Sequence, residues 1–141
     1  MSDKVLLLDL VNYIITYASD PDGMMATAEG ADIFRDWMPD SPTNSIALME
    51  YPGTSSGVCN ADERNVQVTV RNESYEKARK KIWAIYNLLY DPENDIKIID
   101  DITASRWVIV NARQAPFNLP KTDDGRFIFI FNMGVISSRD E

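Results

Sequence analysis

The stretch from Ile46 to Leu89 decides the fold, and it reads IALMEYPGTSSGVCNADERNVQVTVRNESYEKARKKIWAIYNLL. Its first part, Ile46–Tyr51, has the composition of a half-buried strand and ends at the turn residues Pro52-Gly53. Valines alternate with polar residues from Val66 to Arg71, which is typical of a strand with one buried face. An apolar pattern with helical spacing begins at about Ser74. The stretch therefore predicts two strands followed by a long amphipathic helix.

The predicted helix after Ser74 has one broad apolar face. Asn72 or Ser74 is expected to cap its start, because short polar side chains accept hydrogen bonds from the first free backbone amides. Asp91-Pro92 ends the helix, since the residue before a proline avoids helical geometry. Trp83 and Tyr90 flank the apolar face and widen it. The face itself is formed by Tyr75, Ala78, Ile82, Ile85, Tyr86 and Leu89.

An earlier helix is predicted from Ser2 or Asp3 to Ala18. Leu10 and Tyr17 widen its apolar stripe beyond what one sheet face usually covers. The helix is therefore either deeply buried or shared with a neighbouring subunit. Turn residues at positions 20–23 stop it. The stripe consists of Leu7, Leu8, Val11, Ile14, Ile15 and Ala18.

Residues 20–45 are predicted to form an extended arm between this helix and the first strand. A connection of this length is unusual within a domain unless it has a function. Asp32–Trp37 is expected to form one or two helical turns, closed by Met38-Pro39. Large apolar side chains on such an arm cover either the chain's own sheet or a partner, and both alternatives stay open.

Three further strands are predicted, at Ile96–Thr103, Arg106–Ala115 and Arg126–Ile136, and the first two form a hairpin across Ala104-Ser105. Both faces of the last strand are apolar at its start, which suits either a central strand or a face pressed on another subunit. The element order α-β-β-α-β-β-β places the chain in the α+β class, with a mostly antiparallel sheet of about five strands flanked by two main helices. We expect a single domain over residues 1–141, with long loops at 54–65 and 116–125.

The composition indicates a globular protein in a reducing compartment. The chain is 45% hydrophobic and 26% charged, which separates it from disordered chains. No apolar run reaches the roughly 20 residues of a membrane helix, and the first residues do not resemble a signal peptide. The single cysteine, Cys59, excludes an internal disulfide. We therefore expect no membrane contact.

The net charge of −8 has the wrong sign for a protein that binds nucleic acid by neutralising phosphates. The basic run Arg79-Lys80-Lys81 lies close to Glu73 and Glu76 on the predicted helix, and we interpret it as a solvated face. An acidic surface is nevertheless compatible with DNA that slides past without binding.

Patterns that point to catalysis or metal binding lack their partner residues. The G-x-S-x-G pattern at Gly53–Gly57 has no histidine base anywhere in the chain and is followed by a polar loop rather than a helix. The S-x-x-K pattern at Ser74–Lys77 lacks its usual companion motifs. Without histidine and with one cysteine, most transition-metal sites are excluded, and the acidic pairs lack the spacing of a calcium loop. We expect no enzyme activity and no cofactor.

Several segments carry a resemblance through their order and spacing. They are Ile33-Phe34, Trp37–Pro42, Leu48–Gly53, Val66–Arg71 leading into Tyr75–Ala78, and Gln114–Leu119 with Asp124–Phe127. From about Leu7 onward the chain resembles a family of bacteriophage minor capsid proteins that is similar to the tail terminators of long-tailed phages. One departure from the pattern is Pro120-Lys121-Thr122, where a tighter turn with glycine is expected.

The resemblance implies an α+β subunit that assembles into a ring, usually hexameric. Such a ring caps the finished tail tube, stops its polymerisation and presents a surface to the head or neck connector proteins. It implies a place in the virion after synthesis in the host cytoplasm, with no catalytic, cofactor or metal residues, and DNA that passes through the ring without specific binding. The predicted interface residues are Phe34, Trp37, Met38, Trp83 and Phe117.

Alternative functions remain open from sequence alone. One is a head-completion or stopper protein of the phage neck, which docks on the portal side. Another is a cytoplasmic protein-binding module unrelated to phage. An enzyme acting on a small molecule is a third, and it requires a deep pocket lined by carboxylates.

Overall fold

The chain folds into two layers, a β-sheet and a pair of helices packed on one of its faces. The computed structural model describes residues 6–18, 29–55, 61–90, 96–98, 107–112, 114–120, 122 and 125–138. The helices are α1 (Leu6–Tyr17) and α2 (Tyr75–Leu89). The strands are β1 (Ile33–Arg35), β2 (Ser45–Ser55), β3 (Ala61–Asn72), β4 (Ile96–Ile98), β5 (Trp107–Ala112), β6 (Phe117–Asn118) and β7 (Phe127–Ser138).

The seven strands form one sheet in the order β1-β2-β3-β7-β5-β4, and β6 pairs with β7 off this path. β5 and β6 follow one another along the same side of β7, and β3 occupies the other side. Every named strand pair is antiparallel except β1–β2, which is parallel. The α+β class and the mostly antiparallel sheet are thus confirmed, and the short strands β1 and β6 are additions to the five that the sequence predicts.

One apolar core lies between one face of the sheet and both helices. The registers align Leu48 with Val68 and Val68 with Phe131, so these side chains form one row across the sheet. The predicted alternation in β3 is confirmed, because its three valines are fully buried. The helices contribute Leu6, Leu7, Leu10, Val11, Ile14, Ala78, Ile82, Ile85 and Leu89 to this core.

The prediction for α2 is confirmed at its start. The Ser74 hydroxyl accepts a hydrogen bond from the amide of Lys77 at 3.4 Å, and Asn72 Oδ1 accepts one from the amide of Ser74 at 2.9 Å. The two candidate caps therefore act together rather than as alternatives. Tyr75, predicted on the buried face, is exposed, although its ring contacts those of Phe127 and Phe129 with centroids 5.8 and 5.3 Å apart.

The helical turns expected for Asp32–Trp37 are wrong, because Ile33–Arg35 is a strand paired with β2. Ile33 points into the core, while Phe34, one residue on, points to the other face, as strand geometry requires. Asp36 then adopts a φ of +68°, which ends the strand. Two adjacent apolar residues do not distinguish the helical period from the strand period. The pairing with β2 makes this segment a strand.

The long loop expected at 54–65 is wrong at both ends, where residues 54–55 belong to β2 and residues 61–65 to β3, and residues 56–60 lie outside the described part of the chain. The ladder between β2 and β3 resumes at Thr54–Glu63 and Ser55–Asp62, after a register shift that follows Tyr51. The proline and glycine at 52–53 fall at this irregularity, where a strand tolerates both residue types. Polar side chains such as Asp62 do not prevent a strand here, because β3 gains its backbone hydrogen bonds from β2 on one side and β7 on the other.

The loop expected at 116–125 contains β6, in which Phe117 pairs with Ile130 and Asn118 with Phe129. After β6, the amide of Gly125 donates to the carbonyl of Thr122 at 2.9 Å. The expected antiparallel pairing of β4 with β5 is confirmed, with Ile98 opposite Trp107.

β7 is confirmed as a central strand of the sheet, flanked by β3 and by β5 with β6. In α1, Leu10 is part of the core rather than a widening of the stripe, whereas Tyr17 is exposed. Several predictions fall outside the described residues: the helix start at residues 2–3, the turns at 20–23 and 91–92, the connection at 104–105, and Cys59.

Candidate functional site

The face of the sheet turned away from the helices has no helix packed on it within the described residues; we call it the open face. Because side chains alternate along a strand, it carries the neighbours of the core positions. Near its centre, Gln67 Nε2 donates to Asn132 Oδ1 at 3.2 Å across β3 and β7. Phe117, in β6, is 38% exposed. The open face is therefore a mixed surface, with amides near its centre and an exposed aromatic ring on β6.

Residues 36–40 leave the end of β1 at the border of the open face; we call them the Trp37 edge. Phe34 lies on the open face and is only 6% exposed, and its ring contacts that of Trp37 with centroids 6.2 Å apart. Trp37 itself is 60% exposed. Asp36 and Asp40 flank it and are also exposed. The Trp37 edge thus combines one large exposed apolar side chain with two exposed acidic residues.

Arg71, near the end of β3, holds the segment that follows the Trp37 edge. Its guanidinium donates to three backbone carbonyls: Nη2 to Pro39 at 2.5 Å and to Pro42 at 2.8 Å, and Nε to Thr43 at 3.0 Å. Arg71 is buried, and hydrogen bonds from a charged donor are stronger than those between neutral groups. The planar fork of one side chain therefore clamps residues 39–43 to the sheet.

A groove of about 520 Å³ lies on the helix layer, beside the outer side of α2; we call it the α2 groove. The guanidinium of Arg79 lies 5.9 Å from the ring centre of Trp83, which is within the range of a cation–π interaction. Tyr17, at the end of α1, is 53% exposed beside it. The groove is lined by Tyr17, Arg79, Lys80, Trp83, Asn87 and Leu88, with Ala84. It combines aromatic and aliphatic walls with two cationic side chains.

The five predicted interface residues do not form one site. Phe34 and Trp37 lie together at the border of the open face, and Met38 follows them, half-buried. Phe117 lies on β6, and its ring belongs to the open face. Trp83 lies in the α2 groove, on the opposite layer of the fold. The structure therefore separates the prediction into two surfaces.

The sequence analysis did not predict which side chains line the α2 groove with Trp83. Arg79 and Lys80 were interpreted as part of a solvated face, and Tyr17 as a widening of the α1 stripe. The spacing of Arg79, Trp83 and Asn87, four residues apart, indicates one helix face and is visible in the sequence. The contribution of Tyr17 has no local signal, because it depends on how α1 packs beside α2.

Two general features of the described residues complete the picture. Among the described residues, no three cysteines or carboxylates are grouped as a metal site requires. No helix in the described part of the chain is long and apolar enough to cross a membrane. The fold and its surfaces thus define an α+β protein that exposes aromatic side chains on both of its layers, at Trp37 and at Tyr17.

The chain belongs to the bacteriophage tail terminator protein family, whose pattern it matches over residues 20–137. This is a structural family of phage tails and not an enzyme family, so the protein is a structural component of the phage virion tail. The match confirms the resemblance seen in the sequence and covers both the Trp37 edge and α2. No curated protein matches the sequence.

Proposed function

We propose that copies of this chain assemble head to tail into a closed ring, a hexamer, which caps the tail tube and joins it to a head or neck connector protein. Membership of the tail terminator family carries the proposal. The exposed Trp37 edge and the α2 groove support it, because head-to-tail assembly needs two different surfaces on each copy. Such contacts give a closed ring when the rotation that relates one copy to the next adds up to a full turn.

Deletion of the gene from its phage tests the terminator role. Without a cap, the tube continues to polymerise, so we expect overlong tails or tails that are not joined to heads in electron micrographs. A plasmid copy of the gene restores normal tail length and infectivity. Loss of a stopper protein has a different result, since heads then leak DNA while tails keep their length. Leaking heads with normal tails would assign the protein to head completion instead.

The ring itself is tested on the purified protein. We expect light scattering and electron microscopy to detect rings, either in solution or at the ends of added tail tubes. A protein that stays strictly monomeric even when tubes are present contradicts ring formation. The family role and the ring are therefore tested separately.

The net charge of −8 per copy supports an acidic bore through which DNA passes without specific binding. We expect a reconstruction of the ring to show carboxylates on the bore. We also expect no retardation of duplex DNA by the purified protein at physiological salt. A bore lined with Lys and Arg side chains, or salt-sensitive DNA binding, contradicts this proposal.

A further inference from the structure

The Trp37 edge and the α2 groove lie on opposite layers of the subunit. Ile33 faces the helices, so Phe34 points to the open face, and the ring of Trp37 lies against that of Phe34. The groove lies on the helix layer, beside the outer side of α2. A single copy therefore does not bring its own Trp37 into its own groove. Contact between the two surfaces requires another molecule.

The two surfaces are complementary in chemistry. On the Trp37 edge the exposed indole has two exposed carboxylate residues near it in sequence, Asp36 immediately before it and Asp40 three residues after it. In the groove, Arg79 and Lys80 lie beside the aromatic ring of Trp83. An indole is among the side chains that most often dominate protein interfaces, and charges of opposite sign around it fix its orientation. The apolar and charged parts of the two surfaces therefore match each other.

The overall charge favours a second copy as the occupant of the groove. Each copy carries a net charge of −8, so two copies repel each other in most orientations. Arg79 and Lys80 form a basic site on this acidic molecule, and the Trp37 edge offers two carboxylates to it. Contact through these two surfaces therefore brings opposite charges together, whereas contact through other surfaces brings like charges together.

We propose that the Trp37 edge of one copy seats in the α2 groove of the next, and that this contact joins neighbouring subunits of the ring. The indole of Trp37 packs against Trp83, Tyr17 and Leu88 of the neighbour. Asp36 and Asp40 face the neighbour's Arg79 and Lys80. The inference rests on the proposed function, since it names the contact by which that ring forms.

The proposal makes the contact heterologous, so a mixing experiment tests it. Trp37→Ala removes the edge and leaves the groove intact, whereas a variant with Arg79→Glu and Lys80→Glu alters the groove and leaves the edge intact. All three side chains are exposed, so we expect both variants to fold, which circular dichroism and thermal unfolding check. We expect each variant alone to show self-association weakened about 30-fold or more.

The mixture tests whether the edge of one copy meets the groove of another. One intact edge and one intact groove remain between the two variants, so the mixture is expected to form a heterodimer but no larger ring, as measured by native mass spectrometry. Tail tubes are included if the wild-type ring needs them. A mixture that contains only monomers, or a Trp37→Ala variant that assembles like the wild type, overturns the proposal.

A photocrosslinking residue identifies the occupant directly. p-Benzoylphenylalanine in place of Trp37 retains a large aromatic side chain, and we expect its crosslinks to map to residues 79–88 of a second copy. The matched control carries the same group at Phe117 and is expected not to reach α2. Crosslinks from position 37 to the tube protein or to another sheet overturn the contact while leaving the ring in place. A wild-type protein that never leaves the monomer instead overturns the proposed function.

Discussion

Replacing Phe131 with alanine is expected to lower the free energy of unfolding by about 3–5 kcal/mol. Phe131 is fully buried at the middle of β7, and its ring contacts that of Tyr86 on α2 with centroids 5.3 Å apart. It therefore fills the core between β7 and α2, and alanine leaves a cavity there. The cavity stays open because β7 is held by paired strands on both sides and does not move to fill it. Urea unfolding of the monomer, followed by circular dichroism, measures the change.

Phe117→Ala is the matched control for this prediction. The same side chain is lost, but Phe117 is 38% exposed on a two-residue strand, so we expect a change of less than about 1 kcal/mol. Equal effects of the two substitutions would mean that Phe131 is not at the centre of the core. Because Phe117 lies on the open face, the same variant also reports whether that face takes part in assembly without loss of stability.

Replacing Arg71 with methionine is expected to cost about 2–4 kcal/mol and to release the segment at residues 39–43. The substitution keeps most of the aliphatic volume but removes donors to the carbonyls of Pro39, Pro42 and Thr43. Those carbonyls then depend on water, which has limited access to a buried site. Unfolding experiments measure the loss of stability. Limited proteolysis detects the released segment as faster cleavage within residues 39–43.

The control is Arg35→Met. Arg35 forms an ion pair with Glu29 at 2.8 Å, but both side chains are partly exposed, and such pairs contribute less than about 1 kcal/mol. Loss of stability in Arg71→Met without faster cleavage would show that the guanidinium does not hold this segment. Unchanged stability would show that water replaces its hydrogen bonds at no cost.

The two predictions separate the stability of the fold from the shape of its edge. Phe131 supports the core from which both layers are built. Arg71 supports one border of the sheet, where the Trp37 edge begins. Folding defects are therefore expected from Phe131→Ala, whereas Arg71→Met is expected also to weaken assembly by loosening the segment next to Trp37.

The longer elements were predictable because their signals are local. The alternation of Val66, Val68 and Val70 and the helical spacing of Ala78, Ile82 and Ile85 both follow from the geometry of one segment. The short strands β1 and β6 were not predictable, since two or three residues carry no period. The polar ends of β2 and β3 were missed for a related reason, because pairing with neighbouring strands outweighed their composition.

Part of the candidate site was predictable as well. Large apolar residues on a long connection pointed to Phe34 and Trp37, and a broad helix stripe pointed to Trp83. Their assignment to one surface or two depends on which way each strand residue faces, and on where α1 ends relative to α2. Arg71 gave no signal, because an arginine at the end of an alternating strand is usually solvated.

The sequence by itself determined the local order along the chain. This order consists of two amphipathic helices and the longer strands of an α+β fold. Periodicity and capping act within a few residues and need no knowledge of the rest. Only the tertiary structure decided that Trp37 and Trp83 lie on opposite layers and that Arg71 clamps a segment some thirty positions earlier. Such relations arise from strand register and helix packing, which join residues far apart in sequence.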